Sequence, residues 1–391
     1  MDLLKAPLFG RLGFPKRSSR EQPQKRERVH NSNMPETKFQ NRRAVSIENR
    51  DVRVTVLVEG GHIAEITDKA SGVNPLWVPP WPSIEPSTYD PAKHPEYGGD
   101  SESKLLAGIM GHNLCLDIFG GPSEEEAAAG LSVHGEGSVV PNDITLEGTS
   151  LVAKAVFPEA QLRFERKIEL APESRVVLIS EVVENLAGTD RPVGWTQHVT
   201  LGPPFLENGV TQFRATATRS KVFESDFSDG NGYMKIGAEF DWPNVPHKNG
   251  GFVDLRVFTE QRVSAGFTTH LMDPAQENAY FLAYSPRSRM LHGYIWKRAD
   301  FPWLGIWEES NCREHPPWNG ITVTRGMEFG ASPMPETRRQ MIERGGLFGV
   351  PGFRWIPARS KVSVQYCAFI APAEKIPESA AWAGGHEVQW S

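Results

Sequence analysis

Period-two alternation of apolar and polar residues dominates the chain from about residue 43 onward. Arg53-Val54-Thr55-Val56-Leu57-Val58 alternates, Gly60-Gly61 supplies a turn, and His62-Ile63-Ala64-Glu65-Ile66 resumes the pattern, which predicts a β-hairpin. Residues 151–157, 162–170 and 176–183 read as successive long strands, separated by Pro158, Pro172 and polar turn residues. The pattern predicts further strands over 252–258, 279–284, 290–296 and 362–370. Only 124–129 and 336–342 carry a local helical signal, and both segments are short. Many strands with Gly and Pro punctuation and no β-helix-β alternation predict an all-β protein, a large antiparallel β-sandwich with a few short helices. That reading makes residues 36–391 a single domain and sets residues 1–35 apart as a leader. Residues 75–99, with Pro79-Pro80-Trp81-Pro82, are too rich in proline for a central strand and read as a long loop, a place where function tends to sit.

Charge separates the leader from the rest. Residues 1–50 hold twelve Lys and Arg against five Asp and Glu, and the remainder thirty against forty-three, within a net charge of −6. The basic leader (Lys16, Arg17, Arg20, Lys25, Arg26, Arg28) lacks apolar periodicity and interleaved aromatics, so it is expected to be a solvated, disordered tail and not a nucleic-acid or membrane-binding surface. It also lacks the apolar run of about 7–15 residues that a secretory signal requires, and no later stretch offers about 20 apolar residues. A cytoplasmic protein is the resulting expectation. Cys115, Cys312 and Cys367 form no CxxC pair, which predicts buried thiols and neither structural disulfides nor a Cys-rich zinc site.

Three clusters could carry chemistry. His134 lies between Val133 and Gly135, where the backbone can turn sharply and leave the imidazole facing a cleft. Glu136 beside it is expected to steady a neighbouring strand. In Trp195-Thr196-Gln197-His198, Thr196 and His198 share one strand face, a polar face that requires partners if buried. In Thr324-Arg325-Gly326-Met327-Glu328, the carboxylate of Glu328 shares its face with Gly326 and so has room for a ligand; pairing with Arg325 or Arg354 would instead make it structural. A mixed metal site of His112, His134, His198 and a carboxylate is the rival reading, but no HxH or HExxH spacing supports it, and no metal is expected. Of the eleven tryptophans, Trp77, Trp81, Trp303, Trp307 and Trp318 stand in proline-flanked, loop-like text, where flat rings suit the faces of sugars or cap the ends of a sandwich.

With these residues the chain resembles the galactose mutarotase-like superfamily, the aldose 1-epimerases and their relatives. The resemblance covers most of residues 40–375 and rests on Gly61-His62-Ile63, His134-Gly135, Glu184-Asn185-Leu186 followed by His198, and Glu328 before Pro333. It implies a large β-sandwich that interconverts the anomers of a sugar. Glu328 would act as general base on the anomeric hydroxyl, His198 as the acid that protonates the ring oxygen, and His134 as support for that transfer. No cofactor is implied, and the expected partner is a carbohydrate. The candidates for sugar contact are His112 and Asn113, Trp81, Trp307 and Arg325. His112-Asn113 stands where family enzymes offer an Asn-Arg pair, without the arginine. The family's later aspartate has three possible counterparts, Asp226, Asp229 and Asp241. The departures, with 302–309 and Arg338-Arg339, mark a divergent branch whose ligand is an oligosaccharide or a modified or acidic sugar. Two alternatives share the fold: a non-catalytic carbohydrate-binding or sensing protein, and a polysaccharide-cleaving enzyme with Glu308 or Glu309 as its second carboxylate. The oligomeric state is left open.

Overall fold

The computed structural model of the protein describes residues 37–391; the leader expected over residues 1–35 lies outside the described residues. Two large sheets are built wholly of antiparallel pairs. The larger has eleven strands, in the spatial order Thr37–Phe39, Arg42–Glu48, Val52–Leu57, Ile63–Asp68, His112–Cys115, Thr196–Leu201, Val323–Gly330, Trp303–Ser310, Ser264–Met272, Ala217–Val222 and Glu239–Asp241. The smaller has eight, in the order Gln212–Ala215, Asn278–Ser285, Met290–Lys297, Lys361–Pro372, Val176–Asn185, Leu162–Leu170, Ser150–Phe157 and Asp143–Glu147. The fold is an all-β sandwich, as the alternation predicted.

Where one face of a strand meets solvent, sequence and structure agree closely. Leu162–Leu170 alternates inward Leu162, Phe164, Arg166, Ile168 and Leu170 with more exposed positions between them, and its bounds match the predicted 162–170. The opening hairpin forms as read, with Gly60 and Gly61 at φ of 76° and 59°, a turn that only residues tolerant of left-handed backbone close cheaply. The two helical signals also appear as Glu124–Ala128 and Arg338–Arg344, each opened by a capping box from Ser123 and Thr337.

The central strands are different because both of their faces are covered. Inside, Phe329 of the large sheet stacks on Trp296 of the small one at 4.3 Å between ring centroids. Beyond the small sheet, Ile376, Ala380 and Trp382 of the C-terminal segment cover Leu178, Leu282 and Phe369. Beyond the large sheet, loops bring Trp77, Leu106, Phe119 and Trp318 onto Phe267 and Trp307. Strands such as Thr196–Leu201 and Trp303–Ser310 are therefore buried at every position, which removes the alternation that would have announced them. Trp303 and Trp307, read as loop residues, belong to a central strand. The predicted strand over 252–258 shrinks to Phe252–Asp254. Residues 75–99 form a long loop with two short 3₁₀ turns, Pro86–Thr88 and Pro95–Tyr97.

Candidate functional site

Register builds the site. His198 pairs directly with Asn113 on one side and Glu328 on the other, Glu328 with Gly305, and Gly305 with Thr269. Directly opposed residues project to the same face, so Asn113, His198, Glu328 and Thr269 form one row across four strands, with Gly305 as the gap beside the carboxylate. His198 Nε2 lies 3.0 Å from Glu328 Oε1, and its Nδ1 lies 3.0 Å from Thr200 Oγ1. The Nε2 contact has hydrogen-bonding distance without hydrogen-bonding alignment, so Oε1 is left without an aligned donor. Two glycines make this geometry possible. A Cβ on Gly326 would stand 2.2 Å from Glu328 Oε1, and one on Gly305 would stand 2.7 Å from the Phe267 ring.

His134 reaches the same place from a loop. Its left-handed backbone, φ 65°, followed by Gly135 at 73°, turns the ring inward until its centroid is 4.8 Å from that of His198. The ring is fixed by Nδ1, which lies 2.5 Å from Phe119 O; donation there leaves Nε2 as the free acceptor. Glu136, by contrast, accepts from Ala160 N at 2.8 Å and braces the start of the next strand.

Burial governs the charge state. Glu328 is 3% exposed and His198 5%. Desolvation pushes the Glu328 carboxyl well above the ordinary carboxylate range and His198 well below the ordinary imidazole range; no arginine offsets either. Arg325 and Arg354, the expected neutralising partners, lie beside Glu308 at 3.6 Å and Asp300 at 3.4 Å. His134 is brought down to about 4 by burial, against the Phe119 carbonyl, which acts the other way. Burial therefore favours the uncharged form of each group in the unliganded protein.

The aromatic candidates close the face over this pair. Trp307 is in register with Gly326 and its ring centroid is 6.1 Å from that of His198. Trp318 packs on Trp307 at 5.8 Å, Trp77 stacks on Trp318 at 6.2 Å, and Trp81 meets both Trp77 and Trp318 edge-on while donating to Leu106 O. Arg313 lies over Trp318 at 4.7 Å, held by Glu309 and Glu102. Several buried polar atoms on and over the row have no hydrogen-bond partner: Asn113 Nδ2, Thr196 Oγ1, Thr269 Oγ1 and Trp318 Nε1, besides Glu328 Oε1. Such groups are costly unless something binds them.

Two expected contact residues are not on this face. His112 precedes Asn113, so its ring points between the sheets, where Nε2 meets Gln197 Oε1 at 2.9 Å and Nδ1 meets Tyr294 OH at 3.1 Å. Arg325 also points between the sheets, over the Phe213 ring and onto Leu255 O. Both corrections follow from strand alternation, which sends neighbours to opposite faces. The same rule sends Glu308 away from Glu328 to accept from Tyr233 OH, while Glu309, four residues beyond Gly305 or roughly 13 Å of strand, accepts from Cys312 N and Arg313 N. Asp229 and Asp241 lie outside the row, on a turn and an edge strand, and Arg338 pairs with Asp117 and Glu126. Among the described residues no group of three or more His, Cys, Asp or Glu could hold a metal ion, and no helix is long and apolar enough to cross a membrane. Phe119, Phe267 and Thr269 were missed. Thr269 stands between Thr268 and His270, where nothing local sets it apart.

No family model matches the chain, and neither does any curated protein sequence. Solved structures do resemble it. A proposed aldose 1-epimerase from Klebsiella pneumoniae is 13% identical with a TM-score of 0.62, over 85% of this chain and 80% of that one. A galactose mutarotase-like protein from Clostridium acetobutylicum is 12% identical with a TM-score of 0.55, over 86% and 98%. A galactose mutarotase related enzyme from Lactobacillus acidophilus is 12% identical with a TM-score of 0.54, over 85% and 99%. At such identities the likeness establishes the fold, which is the galactose mutarotase-like sandwich in a divergent sequence.

Proposed function

We propose that the protein is an aldose 1-epimerase-like isomerase, in which Glu328 takes the proton of a sugar's anomeric hydroxyl and His198 gives one to the ring oxygen. The observation that carries this reading is the buried Glu328–His198 pair, 3.0 Å apart, in one row with unpartnered polar atoms. Movement of the Glu328 carboxyl proton to His198 Nε2, once a bound sugar brings the two into line, creates the base and the acid in a single transfer. Glu328 then removes the O1 proton, the C1–O5 bond breaks with its electron pair going to O5, and His198 protonates O5. Rotation about C1–C2 and the reverse steps close the ring as the other anomer. Protons and electrons balance within the pair and the sugar. Sugar hydroxyls donating to Glu328 stabilise its anion, against the burial that otherwise raises its pKa. His134, with Nδ1 held by Phe119 O, offers Nε2 to the imidazolium of His198 or to a sugar hydroxyl. Asn113, Trp307, Trp318 and Trp81 supply hydrogen bonds and flat apolar surface.

The tryptophan cover over the pair supports a second reading, a carbohydrate-binding protein without turnover, because a sugar must displace part of that cover to reach Glu328. The free, buried state of all three cysteines supports a cytoplasmic setting.

Saturation-transfer NMR on α-glucose, α-galactose and several uronic acids separates the two readings. Wild type is expected to speed anomer exchange, and Glu328→Gln to lower that rate by about 10²-fold or more with little change in sugar affinity. Binding without exchange in wild type selects the second reading, and no binding of any sugar overturns both.

A further inference from the structure

The threonines around the Glu328–His198 pair differ in their partners. Thr196 Oγ1 and Thr269 Oγ1 have none, whereas Thr200 Oγ1 lies 3.0 Å from His198 Nδ1. Thr200 is fully buried and shares the face of His198, two residues along the Thr196–Leu201 strand. Its backbone is tied on both sides. It is in register with Gly326 of the Val323–Gly330 strand, its N–H donates to Gly111 O at 3.1 Å, and its C=O accepts from Trp77 N at 2.8 Å. The hydroxyl is thus fixed by its own strand, by the strand of Glu328 and by the loop that carries the tryptophan cover.

The chemistry makes different demands on the two ring nitrogens of His198. Burial keeps the unliganded ring neutral, so it carries a single N–H. Nε2 faces Glu328 Oε1 and must take the carboxyl proton before passing it to the sugar. It therefore has to be the bare nitrogen, with the ring proton on Nδ1. Once Nε2 is protonated the ring is an imidazolium and both nitrogens are donors. The Nδ1–H then needs an acceptor, because a buried donor of a charged group is costly to leave unpaired. Thr200 Oγ1 stands where that acceptor is needed. A hydroxyl can also donate, but a Thr200 O–H given to Nδ1 would put the ring proton on Nε2, where it would block transfer from the carboxyl.

We propose that Thr200 is a positioning residue for the proton transfer: its Oγ1 accepts the Nδ1–H of His198, keeping Nε2 bare in the neutral ring and satisfying the second N–H of the imidazolium. The proposal rests on the Glu328–His198 reading of the site. In the transfer the O–H bond of the Glu328 carboxyl breaks, its electron pair staying on oxygen, and an N–H bond forms from the Nε2 lone pair. The Nδ1–H bond and the threonine O–H bond persist throughout.

The test pairs a spectrum with a rate. Nitrogen NMR of histidine-labelled protein distinguishes a protonated ring nitrogen from a bare one, and the His198 signals are those that His198→Asn removes. At neutral pH wild type is expected to carry the His198 proton on Nδ1, and Thr200→Val to move it toward Nε2. In anomer exchange of glucose and galactose, Thr200→Val is expected to lower kcat about 10- to 100-fold, the worth of a hydrogen bond to a charged group, with KM nearly unchanged. Thr200→Ser is expected to restore most of that loss. Thr200→Ala takes the place of the valine variant if the latter fails to fold by circular dichroism. A wild-type ring protonated on Nε2, or a tautomer that loss of the hydroxyl leaves unmoved, overturns the proposal while exchange by wild type leaves the site reading standing. So does a kcat that loss of the hydroxyl does not lower. No exchange by wild type overturns the site reading and the transfer with it, and the spectrum then still decides which way the hydrogen bond runs.

Discussion

The two faces of the Thr196–Leu201 strand each present buried polar groups and treat them in opposite ways. On the inner face, Gln197 Oε1 accepts from His112 and Arg166, while Glu181 accepts from Arg166, Tyr366, Gln197 and Trp195. Glu181 thereby fills about all four of its lone-pair sites. On the outer face, one residue along, His198 and Glu328 share a single contact while Asn113, Thr196 and Thr269 hold unpartnered groups. A saturated buried network fixes a structure, because every group loses if anything moves. An unsaturated one leaves room for a ligand to complete it. On this strand, buried polarity is common to both faces, and unpartnered polar atoms are what distinguish the outer one.

The largest expected effect comes from breaking the saturated side. Glu181→Ala leaves Arg166 buried without its carboxylate and is expected to cost about 3–5 kcal/mol of stability, read as a lower urea midpoint at unchanged slope. A loss below about 1 kcal/mol would mean that the inner network does not hold the sheets.

A matched pair of hydroxyl deletions sharpens the contrast. Tyr366→Phe removes a bond to a buried carboxylate and is expected to cost about 1.5–3 kcal/mol. Thr269→Val removes a hydroxyl that has no partner and is expected to be neutral or stabilising in the unliganded protein, while weakening sugar binding. Equal costs for the two would erase the distinction between the faces.

Acid titration compares the two faces one histidine at a time. His134 on the site face and His292 on the inner face are each held at about 4 by burial, against about 6.5 in the unfolded chain. Below 6.5 the unfolded chain takes up protons that the folded one refuses, so stability is full above that pH and falls as pH drops from about 6.5 to about 4. Each histidine adds a slope of up to about 1.4 kcal/mol per pH unit in that window, less for half-buried His134. His292→Gln should flatten the fall more than His134→Gln in chemical denaturation followed across that range. Added sugar should steepen the contribution of His134 alone.

Much of the fold was legible because sequence writes local alternation plainly. Leu162–Leu170, the opening hairpin and the two short helices over 124–129 and 336–342 were read to within two residues. Arg166, an inward charge on that strand, shows its role only in the structure, where it meets Glu181 and Gln197. The central strands were harder, since burial on both faces leaves Trp303–Ser310 and Ser264–Met272 without an apolar–polar alternation. For the site, His198 and Glu328 stood out as ionisable residues on small or polar strand faces. His112 and Arg325 misled because a residue beside a site residue in sequence lies on the opposite face in a strand.

By itself the sequence determined the class of fold, the turns, and which residues had chemistry to offer, because propensity, alternation and capping act over a few residues. Only the tertiary structure decided which of those residues meet. The register of the Thr196–Leu201 strand against its two neighbours places Asn113, His198 and Glu328 in line, and residues separated by up to 130 positions become neighbours through backbone pairing that no local pattern records.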